Sequence, residues 1–211
     1  MNRNRYFCND KIVAEPLAAC NNATFHTLDI IGRSGRITTL ADTALLTHGK
    51  PVFVPDWGGE CTATACVALR ISRLGKSIPQ RFAQRYYDAL SVAVKFEMSG
   101  MKSELKKEGK AWDMAENFDG AVSCGEFEET SGERPSNVDI LLECGRKECR
   151  FNTENFGDIA DETIATASEF LSIRQGDVML LPLRDTVFTA VPNTHITGFA
   201  NGSKLLEFNI K

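Results

Sequence analysis

The stretch Pro79-Gln-Arg-Phe-Ala-Gln-Arg-Tyr-Tyr-Asp-Ala-Leu90, continued by Ser91-Val-Ala-Val-Lys-Phe-Glu97, decides the fold. Phe82, Tyr86 and Leu90 recur at helical spacing, Ala83 and Tyr87 lie beside them, and Gln80, Arg81, Gln84, Arg85 and Asp88 fill the other side. Ser77 as a cap and Pro79 in the first turn predict where this helix begins. The period then changes from 3.6 to 2. Val92, Val94 and Phe96 alternate with Ala93, Lys95 and Glu97, which predicts a strand. A charged connection over residues 103–110, read as solvated surface, leads to Ala111-Trp-Asp-Met-Ala-Glu-Asn-Phe-Asp-Gly120.

Upstream of this stretch, Cys61 to Leu74 is rich in Thr, Val, Ala and Ile. Thr62, Thr64, Cys66 and Ala68 share one face of the predicted strand and Ala63, Ala65, Val67 and Leu69 the other, so both faces are expected to be largely buried. Before it, short strands are expected at residues 11–14, 25–31 and 51–54, and residues 37–46 are apolar without a clear period. Downstream, residues 126–135 are polar and read as a mobile loop. Val138, Ile140 and Leu142 alternate into a hairpin that turns at Gly145-Arg146-Lys147 and returns to Phe151. Ile159, Thr163, Ala167 and Phe170 predict a second helix over residues 159–171. A strand follows at residues 178–181, and Asn201-Gly202 marks a last hairpin. Strands outnumber helices, which predicts an α+β class dominated by β.

A chain of 211 residues fits one domain, with residues 1–50 as an N-terminal segment packed on a core of residues 51–211. The net charge of −4 argues against nucleic acid as a partner. No apolar run approaches the ~20 residues of a membrane span, so no membrane partner is expected. Residues 1–10 carry basic residues without an apolar core, unlike a signal peptide. The seven cysteines (Cys8, Cys20, Cys61, Cys66, Cys124, Cys144 and Cys149) include no C-x-x-C pair. Reduced thiols and a cytoplasmic location are the expectation.

The wording and spacing of Leu74-Gly-Lys-Ser-Ile-Pro79, Lys106-Lys-Glu-Gly-Lys-Ala-Trp112, Asn117-Phe-Asp119 and Gly176-Asp-Val178 resemble the fumarylacetoacetate hydrolase family. The likeness is closest to its small single-domain, acylpyruvase-like members. It covers residues 51–127 and 163–211, and residues 1–50 match weakly. The resemblance implies a mixed β-roll or sandwich with a few short helices, usually a homodimer. It also implies a magnesium or manganese site serving hydrolysis, decarboxylation or isomerisation of small 2-oxo and β-diketo acids. In the family a Glu-x-Glu pair on one strand and an Asp on another hold the metal, which suits a hard cation that prefers charged oxygens.

Carried over position by position, the two Glu ligands fall on Thr64 and Cys66, and the Asp falls on Lys95. A substrate-holding lysine falls on Glu116, and an Arg-Asp pair on Ser99 and Gly100. The substrate loop falls on Leu181, Pro182, Leu183 and Arg184, and the histidine of the N-terminal lid on Asn22. The framework positions match and the chemical positions do not. An ammonium about 4 Å from a divalent ion is repelled by about 8 kcal/mol at an effective dielectric of 20.

The expectation is therefore a non-catalytic member with no cofactor and no metal at Thr64, Cys66 and Lys95, binding a small carboxylate or a protein partner. Two alternatives stand beside it. In one, Cys66, Lys95 and Glu116 act as nucleophile, amine and acid/base in metal-free chemistry. In the other, the ligands are misassigned and an ordinary magnesium- or manganese-dependent hydrolase remains. Cys66 also reads as a small buried hydrophobe, Lys95 as a solvated edge-strand residue, and His195 as a surface residue. The exchange of charge types between the Lys95 and Glu116 positions further predicts that these two residues form an ion pair.

Overall fold

The computed structural model describes residues 11–14, 37–130, 132–183 and 186–211. The expected strand at residues 25–31 lies outside them, as do Asn22, Arg184, Cys8 and Cys20. Two long antiparallel strands form the spine, β4 (Cys61–Ile71) and β5 (Tyr87–Met98). They pair along almost their whole length, from Cys61 opposite Met98 to Ile71 opposite Tyr87. The other strands of this larger sheet are β1 (Lys11–Ala14), β2 (Ile37–Leu40), β3 (Leu45–Leu46), β6 (Val122–Cys124) and β10 (Val178–Pro182). Among the described residues its order is β2-β1-β10-β4-β5-β6-β3. The two-residue strands β7 (Glu128–Glu129) and β11 (Phe188–Thr189) add to β5 and β4.

A second sheet has the order β13-β12-β8-β9. It is built from the hairpins β8 (Val138–Cys144) with β9 (Lys147–Thr153), and β12 (His195–Ala200) with β13 (Ser203–Asn209). Three α-helices complete the described chain: α1 (Gln80–Ala83), α2 (Ser99–Lys107) and α3 (Phe156–Phe170). None of the described helices is long and apolar enough to cross a membrane.

Both faces of β4 are buried, as its composition predicts. Ala63, Ala65, Val67 and Leu69 join the main core, with Val94 and Phe96 of β5, Leu142 of β8, Phe208 of β13 and Ile164 of α3. Phe96 and Phe208 meet edge to face with ring centroids 6.1 Å apart, which links the two sheets. Cys66 and Ala68 face the other way, into a smaller cluster with Leu40, Ala93, Cys124 and Leu180. Thr64 and Lys95, paired across the two strands, lie on the same face as Cys66.

Three sequence expectations need correction. The helix at Pro79 is one turn long, and Tyr87 to Leu90 belong to β5 instead. Phe82, Tyr86 and Leu90 are spaced by four, a spacing that also keeps Tyr86 and Leu90 on one face of an extended chain. Pairing with β4 down to Ile71 then decides in favour of the strand. The strand expected at residues 51–54 is a single bridge, Val52 with Ile210, whereas the charged connection is solvated as read, with α2 over Ser99–Lys107. The polar stretch at residues 126–135 includes β7, which pairs with β5 at Ala89 and Leu90. The helix at residues 159–171, the strand at 178–181 and both hairpins agree with the sequence reading.

Candidate functional site

Strand geometry brings the chemical positions together. Thr64 and Lys95 are direct partners across β4 and β5, and Cys66 lies opposite Ala93, one step further along the same face. Pro182 of β10 is the partner of Cys66 on its other side. Leu181 and Leu183 are buried in the main core, on the far side of the sheet from Cys66, so they do not line this site. Ser99 and Gly100 begin α2 and are held to Glu60, through Ser99 Oγ donating at 3.1 Å and the Gly100 amide donating at 3.3 Å.

Lys95 is 6% exposed and Glu116 2%. The Lys95 Nζ donates to Glu116 Oε2 at 2.9 Å, so the ion pair expected from the exchanged charge types is present. The reading of Lys95 as a solvated edge residue is wrong, because β5 lies between β4 and β6 and Lys95 has a partner on each side. Glu116 follows the 3-10 turn Asp113–Ala115, which carries its carboxylate back to the sheet.

Sequence reading missed two members of this cluster. Lys102 of α2 pairs with Glu116 Oε1 and also with Glu97 Oε2, the latter at 2.5 Å. Glu97 is two residues after Lys95 on one strand, so the alternation already placed both on one face. Lys102 was hidden because it stands just before the charged run, with no pattern to show which face it turns to. Trp112 fixes its direction: the indole lies under Lys102 at 5.4 Å and under Lys106, one turn on, at 4.6 Å. The result is a chain of alternating charge, Lys95–Glu116–Lys102–Glu97, in which each ammonium is matched by a carboxylate.

The electrostatics follow from these contacts. Burial alone would raise the Glu116 carboxyl, but the charges and hydrogen bonds of Lys95 and Lys102 outweigh it and hold the group down at about 2. Burial alone would lower Lys102, and Glu116 with Glu97 raises it above its ordinary value instead. Cys66 is fully buried, and burial, only partly opposed by Lys95, pushes its thiol up to about 12. Its Sγ donates to the Thr64 carbonyl at 3.6 Å. Thr186, also missed in the sequence, is buried beside this strand, and its Oγ1 accepts from the Ala65 amide at 3.0 Å.

The donor set at the three expected ligand positions is thus one hydroxyl, one protonated thiol and one ammonium. That set does not fit a hard divalent cation, which needs several charged oxygens. Among the described residues no group of three or more His, Cys, Asp or Glu is placed to hold a metal ion. Nor is Cys66 arranged as a nucleophile, since its Sγ donates to a backbone carbonyl and no described side chain is placed to take its proton. His195 is exposed and meets Asn209 at 3.1 Å and Glu207 at 3.3 Å, far in sequence from these groups. The five described cysteines are free thiols.

No protein-family model matches the chain, and no curated protein matches its sequence. Solved structures do match its fold. A fumarylacetoacetate hydrolase family protein from Yersinia pestis is 19% identical with a TM-score of 0.80, covering 97% of this chain and 93% of that one. Fumarylpyruvate hydrolase from Pseudomonas aeruginosa, in complex with Mn2+ and pyruvate, is 16% identical with a TM-score of 0.75, covering 98% and 99%. The 5-carboxymethyl-2-hydroxymuconate delta-isomerase from Mycobacterium smegmatis is 17% identical with a TM-score of 0.79, covering 96% and 78%. Likeness at these identities speaks for architecture, and on it the chain has the fumarylacetoacetate hydrolase fold.

Proposed function

We propose that this protein is a non-catalytic member of its fold class, with a binding or regulatory role, in which a buried ion-pair chain stands where relatives hold a divalent metal. The observation that carries the reading is the Lys95–Glu116 pair, 2.9 Å apart and 6% and 2% exposed, directly across from Thr64 and beside Cys66. A positive charge at this place supplies electrostatically part of what a cation would supply. It offers no open coordination position and no bound water to activate. Metal-free chemistry at Cys66 is the weaker reading, because the thiol is fully buried and pushed up to about 12.

The test is the metal content of the purified protein, together with turnover of acylpyruvates in added magnesium or manganese. We expect neither bound metal nor turnover. Stoichiometric magnesium or manganese, or metal-dependent hydrolysis, would refute the proposal. A small carboxylate or a protein partner is the class of ligand left for such a role, and a homodimer is proposed from family resemblance. Sedimentation at micromolar concentration checks the dimer, and a monomer there would count against it.

A further inference from the structure

A second set of polar residues stands apart from the charge chain: Tyr87 at the start of β5, Asp161 of α3, and Arg134. Tyr87 and Asp161 are each 5% exposed. Among the described residues, Tyr87 Oη and Asp161 Oδ1 are the buried side-chain polar atoms that meet no hydrogen-bond partner. The other oxygen of Asp161 is taken, because Arg134 Nε donates to Oδ2 at 2.8 Å. Arg134 comes from the connection between β7 and β8, and its Nη2 also pairs with Asp158 of α3. Gly157 makes this possible: a Cβ there would fall 2.9 Å from Arg134 Nε and 2.8 Å from the Pro135 carbonyl.

One of the two unpartnered atoms is a donor and the other an acceptor. Burial first, then the nearby Asp161 charge, pushes the Tyr87 phenol up to about 12, so it keeps its proton at neutral pH. Asp161 is an acid whose second oxygen Arg134 already engages. Leaving both groups dry would penalise folding twice. A donor and an acceptor that are both buried and unpartnered, with the charge of one near enough to raise the other, are what a single bridging molecule joins.

We propose that Tyr87 Oη and Asp161 Oδ1 share one buried water, which joins β5 to α3 and secures the Arg134 connection. The water accepts from the phenol O–H and donates to the carboxylate. Both Asp161 oxygens are then satisfied, one by water and one by Arg134, so the ion pair that pins residues 132–136 to α3 is maintained. A neutral molecule suits the place better than a second cation, because the Arg134 guanidinium is already on this carboxylate.

The sign of one substitution separates the wet site from a dry one. Tyr87→Phe in a dry site removes a buried unpartnered hydroxyl and raises Tm. In the wet site it strands the water and Asp161, and Tm falls by about 2–4 °C for a chain of this size. Water-oxygen magnetic relaxation dispersion should also show one long-lived internal water fewer in Tyr87→Phe than in the wild type, and amide exchange over residues 132–136 should quicken. A Tm that rises or stays put, or an unchanged dispersion amplitude, overturns the proposal. A wild-type Tm that climbs with added ammonium ions, and does not do so in Tyr87→Phe, would place a cation there and overturn it as well.

Discussion

At the scale of single residues, Glu116 is the group on which the charge chain depends. It faces two ammonium groups, whereas Lys102 keeps Glu97 if Glu116 is lost and Lys95 keeps no carboxylate partner among the described residues. Glu116→Ala should therefore cost about 3–5 kcal/mol in urea unfolding, the range for breaking a buried pair. The double variant Lys95→Met with Glu116→Leu removes both charges and fills the space, and it should cost less than Glu116→Ala alone. Equal or greater loss in the double variant would mean that the pair is not buried in solution. The same contact sets an acid limb. The folded carboxyl of Glu116, at about 2, lies below its ordinary 4.5, so its contribution is present above pH 4.5 and fades as pH falls towards 2. Glu116→Gln should flatten the stability curve within that window, and an unchanged slope would contradict the assignment. The sequence pointed to this pair through opposite charges at two positions that the resemblance assigns to one pocket. It did not disclose Lys102, because a lone lysine gives no sign of which neighbours it faces until α2 is folded.

At the scale of elements, the legible parts were those whose period matched a single partner face. The β8–β9 and β12–β13 hairpins announced themselves through alternation and turn residues, and α3 through its apolar stripe. The boundary at Tyr87 was not legible, because the residues flanking it suit either period and the pairing of Ile71 with Tyr87 is a long-range contact. A further element-scale feature is the crossing of the two sheets at Gly125. Its amide donates to the Val92 carbonyl at 2.9 Å, and the Glu126 amide donates to the Leu205 carbonyl at 2.8 Å. A Cβ on Gly125 would fall 2.3 Å from the Leu205 carbonyl oxygen and 2.7 Å from its carbon. Those are backbone atoms of β13, so relief requires the two sheets to part. Gly125→Ala should cost at least the roughly 1–3 kcal/mol of ordinary overpacking, measured by urea unfolding. A variant within 0.5 kcal/mol, roughly the scatter of surface changes, would show that β13 can shift freely here.

At the scale of the whole molecule, the framework and the chemistry of this fold have separate physical bases. The Asn117-Phe-Asp119 stretch has structural roles. Asn117 Oδ1 accepts from the Ala41 amide at 2.7 Å, and Phe118 meets Trp57 edge to face at 6.1 Å. Neither contact needs a metal, and nor do the cores on the two faces of β4. If the site is as proposed, global stability should not respond to divalent ions. A metal bound to the native state alone, at 100 times its dissociation constant, adds about 2.7 kcal/mol. In a chain of this size that is roughly 5–10 °C in Tm. We expect millimolar magnesium or manganese to leave the wild-type Tm unchanged, and a chelator to do the same. A saturable rise of several degrees would show a native metal site and remove the basis for a non-catalytic role. The variant Thr64→Glu, Cys66→Glu, Lys95→Asp restores three carboxylates on the face from which the ammonium is removed, while Glu116 keeps Lys102 as its partner. Compared with its own chelator-treated form, it should gain a manganese-dependent rise. Turnover should remain absent, because Glu116 still stands where the resemblance calls for a substrate-holding lysine.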